Sequence, residues 1–156
     1  MYTSGISVNN INYKHVELRL ILFFTTINFW LSTYLTVTLL STCSAHWCPP
    51  CRSFTPVLSE FYEQLKEEDE NSLEIIFASS DSDAESFKNY YGEMPWNAIP
   101  FEHPSIKEDL STRFEIRGLP TFIVLNMADG SMKDAEGRGT VTSAKGNTQK
   151  VLKKWA

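Results

Sequence analysis

The feature that most constrains this chain is the string Trp47, Cys48, Pro49, Pro50, Cys51 and its setting. Upstream lies an uncharged stretch that ends at Ala45. Downstream, Phe54, Val57, Leu58, Phe61 and Leu65 fall at helical spacing, which predicts a helix over residues 50–66 with Pro56 bending it. Residues 35–45 alternate Leu35, Val37 and Leu39 against Thr36, Thr38 and Leu40 with the β-branched content of a strand. The cysteine pair therefore sits where a buried strand gives way to a helix.

That position matters chemically because the thiolate, not the thiol, is the nucleophile. A sulfur at a helix N-terminus faces unpaired N–H groups and the positive end of the macrodipole, so its pKa should fall. A fall from about 8.5 to about 7, as in comparable C-x-x-C sites, corresponds to roughly 2 kcal/mol in favour of the thiolate. With two residues between them, a mixed disulfide formed at Cys48 can be resolved by Cys51. Pro49 and Pro50 fix φ and give up only amides that have no partner in a first helical turn.

All three cysteines (Cys43, Cys48, Cys51) lie within nine residues, too close for the disulfide framework of a small secreted domain. Their C-x4-C-x2-C spacing matches part of an iron–sulfur motif but lacks the fourth cysteine. A zinc site on Cys43, His46, Cys48 and Cys51 is disfavoured, because structural zinc draws on two separated ligand pairs. No metal is expected, and Cys43 reads as a small buried hydrophobe on the strand.

The 156 residues amount to about one domain, and the net charge of -5 divides into +2 before Glu60 and -7 from there on. An acidic folded region argues against nucleic acid as a partner. Residues 1–19 read as a polar tail; residues 20–40 hold 14 apolar residues against seven Thr, Ser or Asn. That stretch has the length of a membrane span but a third of it is polar, and its second half serves the strand. A membrane anchor is therefore unexpected, with a membrane-anchored or secretory chain as the alternative to a cytoplasmic one. The expected division is an N-terminal extension over residues 1–31 and a domain over 32–156.

Further along, residues 73–78 read as a strand. Ser82 with Glu85, and Ser105 with Glu108, read as capping boxes for two helices. Residues 92–100 read as a loop, 121–126 and 131–136 as strands joined at Asp129 and Gly130, and Asn147 as the cap of a last helix carrying Val151, Leu152 and Trp155. The order β, α, β, α, α, β, β, α gives an α/β fold: a mixed central β-sheet with helices on both faces.

Ser44 to Arg52, with Phe54, Thr55, Pro56, Phe61 and Tyr62, resembles the active-site segment of the tryparedoxin and nucleoredoxin branch of thioredoxin-fold proteins. Ordinary thioredoxins carry glycine at the third position of W-C-P-P-C. Met94, Pro95 and Trp96, and Gly118, Leu119, Pro120 and Thr121, extend the resemblance, which covers about residues 35–142. It implies a thioredoxin-like fold and a protein-disulfide reductase cycling through Cys48 and Cys51, with no cofactor besides that redox-active disulfide. It implies disulfide-containing protein substrates and an upstream dithiol or flavoprotein reductase. Pro120 resembles the family's cis-proline, which faces the cysteine pair and orients an extended substrate. Trp47, Pro49, Pro50 and Pro120 support the site on this reading, and Leu119 and Trp96 border a substrate groove, though a core role for Trp96 is equally open.

The resemblance has gaps. Thioredoxins place a buried Asp six residues before the first cysteine, where this chain has Thr42. Asp81 is then a candidate proton acceptor, weighed against a helix cap. Trp47 reads as a lid over the disulfide, while His46, Arg52, His103 and residues 67–70 read as solvated surface. The competing functional reading is a redox-sensitive protein-binding module with little turnover.

Overall fold

The structure is a computed structural model that describes residues 38–68, 73–126 and 129–155. The predicted boundary between residues 31 and 32, and the first three residues of the predicted strand, lie outside the described residues.

The elements are β1 (Thr38–Ser44), α1 (Pro49–Glu68), β2 (Leu73–Ser79), α2 (Ala84–Tyr91), β3 (Asn97–Ala98), α3 (Pro104–Arg113), β4 (Thr121–Asn126), β5 (Met132–Asp134), α4 (Gly137–Ala144) and α5 (Thr148–Trp155). Among the described residues they build a five-stranded sheet in the order β3-β2-β1-β4-β5. β1 and β2 pair in parallel, as do β2 and β3, whereas β4 runs antiparallel to both β1 and β5. The sheet is mixed, as the pattern of elements predicts.

Alternation within the strands separates two apolar layers. Phe122 and Val124 of β4 join Leu73, Ile75 and Phe77 of β2 beneath α1, α2, α4 and α5. Ile123 and Leu125 point the other way and join Cys43, Ile76, Ala78 and Leu110 beneath α3. A strand buried on both faces reads as the continuous apolar run that β4 shows, and helices cover both faces. Cys43 lies in the α3 layer, 1% exposed, as a small hydrophobe.

Five local expectations need correction. α2 is capped by Asp83 rather than Ser82: its carboxylate accepts the Ser86 N–H at 2.8 Å and the Ser86 hydroxyl at 2.9 Å. A charged cap is favoured over a neutral one at the positive end of a helix. α3 begins at Pro104, with Ser105 inside its first turn and no side-chain cap at His103, because proline at the first helical position supplies the start. The loop over residues 92–100 contains the two-residue strand β3. Finally, α4 occupies a stretch for which no helix is expected, and residues 67 and 68 extend α1, where the Glu68 carboxylate accepts the Thr148 hydroxyl at 2.7 Å and the Gln149 amide at 2.6 Å.

Candidate active site

Strand register gathers the site at one end of the sheet. Parallel pairing sets Ser44 beside Ser79, and the Ser80 N–H reaches the Ser44 carbonyl at 2.9 Å. Antiparallel pairing sets Cys43 beside Thr121, so Pro120, immediately before β4, stands at the same end as the residues following β1. The Leu119–Pro120 peptide bond is cis.

Between β1 and α1 the chain turns at Ala45 to Cys48, closed by a hydrogen bond from the Cys48 N–H to the Ala45 carbonyl at 3.2 Å. Two further bonds hold this turn to β2. Asp81 accepts the His46 N–H at 2.8 Å with one carboxylate oxygen and the Ser79 hydroxyl at 2.8 Å with the other. The Trp47 indole N–H donates to the Ser80 carbonyl at 3.2 Å. Asp81 is thus a brace for the loop rather than a helix cap, and Trp47, 62% exposed, stands out beside the cysteines with only its nitrogen tethered.

Cys48 occupies the N-cap of α1: its carbonyl accepts the Arg52 N–H at 3.1 Å, the first intrahelical bond. Pro49 and Pro50 fill the first two helical positions, and Cys48 and Cys51 are joined in a disulfide with Cα atoms 5.2 Å apart. Both are buried, Cys51 wholly and Cys48 with 5% of its surface exposed, so Cys48 is the more accessible residue of the pair. That order suits the division of labour the thiol chemistry requires: the less buried cysteine at the N-cap and the second within the first turn.

Beneath the disulfide lies a group of residues for which the sequence gives no signal. Thr55, one turn after Cys51, donates its hydroxyl to the Cys51 carbonyl at 3.1 Å. Having no second hydrogen, Thr55 must accept from the Tyr90 phenol at 2.7 Å, and Tyr90 in turn accepts from the Ser44 hydroxyl at 3.0 Å. All three side chains are buried. This one-way chain of hydroxyls ties β1 and α2 to the backbone of Cys51. In the sequence Tyr90 is simply an aromatic on an apolar helix face.

A groove of about 500 Å³ opens beside Pro120. One wall is Gly118, Leu119, Pro120 and Thr121; the facing wall comes from Ala135, Glu136, Arg138, Gly139 and Thr142 at the start of α4. Leu119 lines this groove. Trp96 does not: it is 4% exposed and packs edge-on against Tyr62, which places it in the core. Arg52 is exposed, as expected. Among the described residues no cluster of three or more His, Cys, Asp or Glu could hold a metal, and no helix is long and apolar enough to cross a membrane.

A disulfide at a strand–helix junction, with a cis-proline at the same end of a mixed sheet covered on both faces, defines the class of thioredoxin-fold thiol–disulfide oxidoreductases. The family model described as Thioredoxin-like matches residues 36–132, and the chain belongs to that family. It is 52% identical over 88 residues to probable nucleoredoxin 1 of Arabidopsis thaliana, covering 56% of this chain and 15% of that one. It is 42% identical over 98 residues to tryparedoxin of Trypanosoma brucei brucei, covering 63% of this chain and 67% of the relative. Tryparedoxin II of C. fasciculata superposes with a TM-score of 0.68 at 37% identity, over 72% of this chain and 76% of that one. A complex of tryparedoxin II with glutathionylspermidine gives 0.67 at 36% identity, over 71% and 76%. The chain thus spans a small part of the nucleoredoxin and two thirds of the tryparedoxin.

Proposed function

We propose that this domain reduces disulfides in protein substrates by cycling Cys48 and Cys51 between dithiol and disulfide. Reduced Cys48 attacks one substrate sulfur and expels the other as a thiolate, forming a mixed disulfide. Cys51 then attacks the Cys48 sulfur, which releases the second substrate thiol and leaves the Cys48–Cys51 disulfide. Two electrons from an upstream dithiol or flavoprotein reductase reset the pair; the disulfide is the only redox group the cycle needs. The neighbour bound to glutathionylspermidine, which carries one thiol, supports a glutathione-type thiol as a source of those electrons, two molecules per disulfide.

In this reading, Trp47 and the groove beside Leu119 and Pro120 receive an extended stretch of the substrate, and Pro49 and Pro50 keep the helix mouth rigid. A cytoplasmic address, with its reducing thiol pool, fits a reductase best. The observation that carries the proposal is the disulfide at the N-terminus of α1, with Cys48 the less buried of its two residues. Insulin reduction by dithiothreitol tests it: the wild type should accelerate precipitation of the insulin chains, and Cys48→Ser should fall to the uncatalysed rate. A Cys48→Ser variant as active as wild type would end this reading.

A further inference from the structure

The groove wall carried by α4 has a support that does not itself line the groove. Asp134, the last residue of β5, is 7% exposed. One of its carboxylate oxygens accepts the Glu136 N–H at 3.0 Å. The other accepts the Thr140 hydroxyl at 2.7 Å, the Lys154 ammonium at 2.8 Å and the Trp155 indole N–H at 2.9 Å. Lys154 also reaches the Thr140 hydroxyl at 2.6 Å.

Glu136 and Thr140 bracket the first turn of α4, and the groove is lined by Glu136, by Arg138 and Gly139 within that turn, and by Thr142 just beyond it. One carboxylate therefore holds both ends of the turn whose outer side is the wall. Behind that turn the fit is tight: a Cβ on Gly137 would lie 2.7 Å from the Phe122 carbonyl and 2.9 Å from its ring. Phe122 is itself part of the groove floor, so a shift of the turn changes the groove's shape directly.

We infer that Asp134 is a positioning residue for the protein substrate: it sets the α4 wall of the groove against the cis-proline wall without touching substrate or sulfur. The inference rests on the reductase reading, because it assigns the groove to the substrate chain. A small disulfide needs only the sulfur at Cys48, whereas a polypeptide also needs the two walls at their distance. Losing the support should therefore appear in binding of the large substrate alone.

The test compares Asp134→Asn, Thr140→Val and Val151→Ala in insulin reduction, alongside the reaction of each reduced protein with a nitrobenzoate disulfide. Val151 is buried in α5 and lines no part of the groove, so its truncation supplies a loss of stability without a loss of support. Asp134→Asn and Thr140→Val should each raise KM for insulin about five-fold, the scale of one lost hydrogen bond, with kcat and the small-disulfide rate unchanged. Val151→Ala should leave KM at the wild-type value. Thr140→Val keeps the shape of the side chain and carries the test alone should Asp134→Asn not fold. A KM unchanged in a folded Thr140→Val, or raised equally in Val151→Ala, overturns the inference while the reductase reading stands. A wild type that reduces no insulin overturns both.

Discussion

Two buried polar groups organise opposite parts of this molecule, and they are built from different materials. Under the disulfide, Ser44, Tyr90 and Thr55 form a chain of neutral hydroxyls ending on the Cys51 carbonyl. At the far edge of the sheet, Asp134 gathers an ammonium, a hydroxyl, an indole and a backbone amide. A neutral network can fix the backbone of Cys51 without adding a charge of its own, which leaves the helix N-terminus to bias the sulfur at Cys48. The charged hub joins β5, α4 and α5, and its strength depends on the ionisation of one carboxylate. The hold of the hydroxyl chain on the Cys51 backbone should therefore be insensitive to pH, and cohesion of the C-terminal helices should not be.

The strongest way to break that contrast is on the charged side. Gly137→Ala forces a Cβ against the Phe122 carbonyl, which belongs to a central strand and cannot yield cheaply. A loss of about 3 kcal/mol in urea unfolding is expected, at the upper end for overpacking. An unchanged midpoint would show that α4 sits more loosely than the hub implies.

Asp134 sharpens the contrast through pH. Burial by itself would raise its pKa, but hydrogen bonds from Lys154, Thr140, Trp155 and the Glu136 amide outweigh burial and hold it down to about 2. An unfolded aspartate titrates near 3.9. A carboxylate depressed on folding contributes stability above the unfolded value and loses it as pH falls through the folded one. The contribution, roughly 2 kcal/mol, is thus whole at pH 5 and above and fades between about pH 4 and pH 2. Asp134→Asn should be less stable than wild type by about that amount at pH 7, with the gap closing toward pH 2. A constant gap across that range contradicts the assignment.

Tyr90→Phe removes the middle of the hydroxyl chain and strands Ser44 and Thr55. It should cost about 1 to 2 kcal/mol, the same at pH 5 and pH 8. A pH-dependent loss would mean that the network is not neutral. The smallest effect on stability belongs to Trp47→Ala, under about 0.5 kcal/mol because the ring is exposed. Insulin reduction should nonetheless slow, since the indole stands beside the cysteines.

The sequence makes the site's chemistry legible more readily than its supports. Cys48, Pro49 and Pro50 announce themselves because a strand, a C-x-x-C and a helix follow one another within a few residues. β4 is readable because five apolar or β-branched residues in a row are bounded by Pro120 and Asn126. α4 is not readable: Gly137, Gly139, Thr140 and Thr142 are poor helix formers, and the helix exists because Val141 and Ala144 dock on α1 and β4 and Asp134 holds its first turn. β3 is too short for any period to show. Asp134 and Tyr90 look like a strand-end carboxylate and a helix-face aromatic; their partners Lys154, Trp155, Thr55 and Ser44 lie 20 to 46 residues away in sequence, and only the fold brings them together.

The most direct test of the whole account is the reactivity of the two thiols in the reduced protein. With iodoacetamide over a pH series and the modified peptides identified by mass, Cys48 should be alkylated before Cys51 and faster than glutathione at pH 7. Alkylation of Cys48 no faster than glutathione at neutrality, or modification of Cys51 first, would contradict the claim that the mouth of α1 makes Cys48 the attacking sulfur.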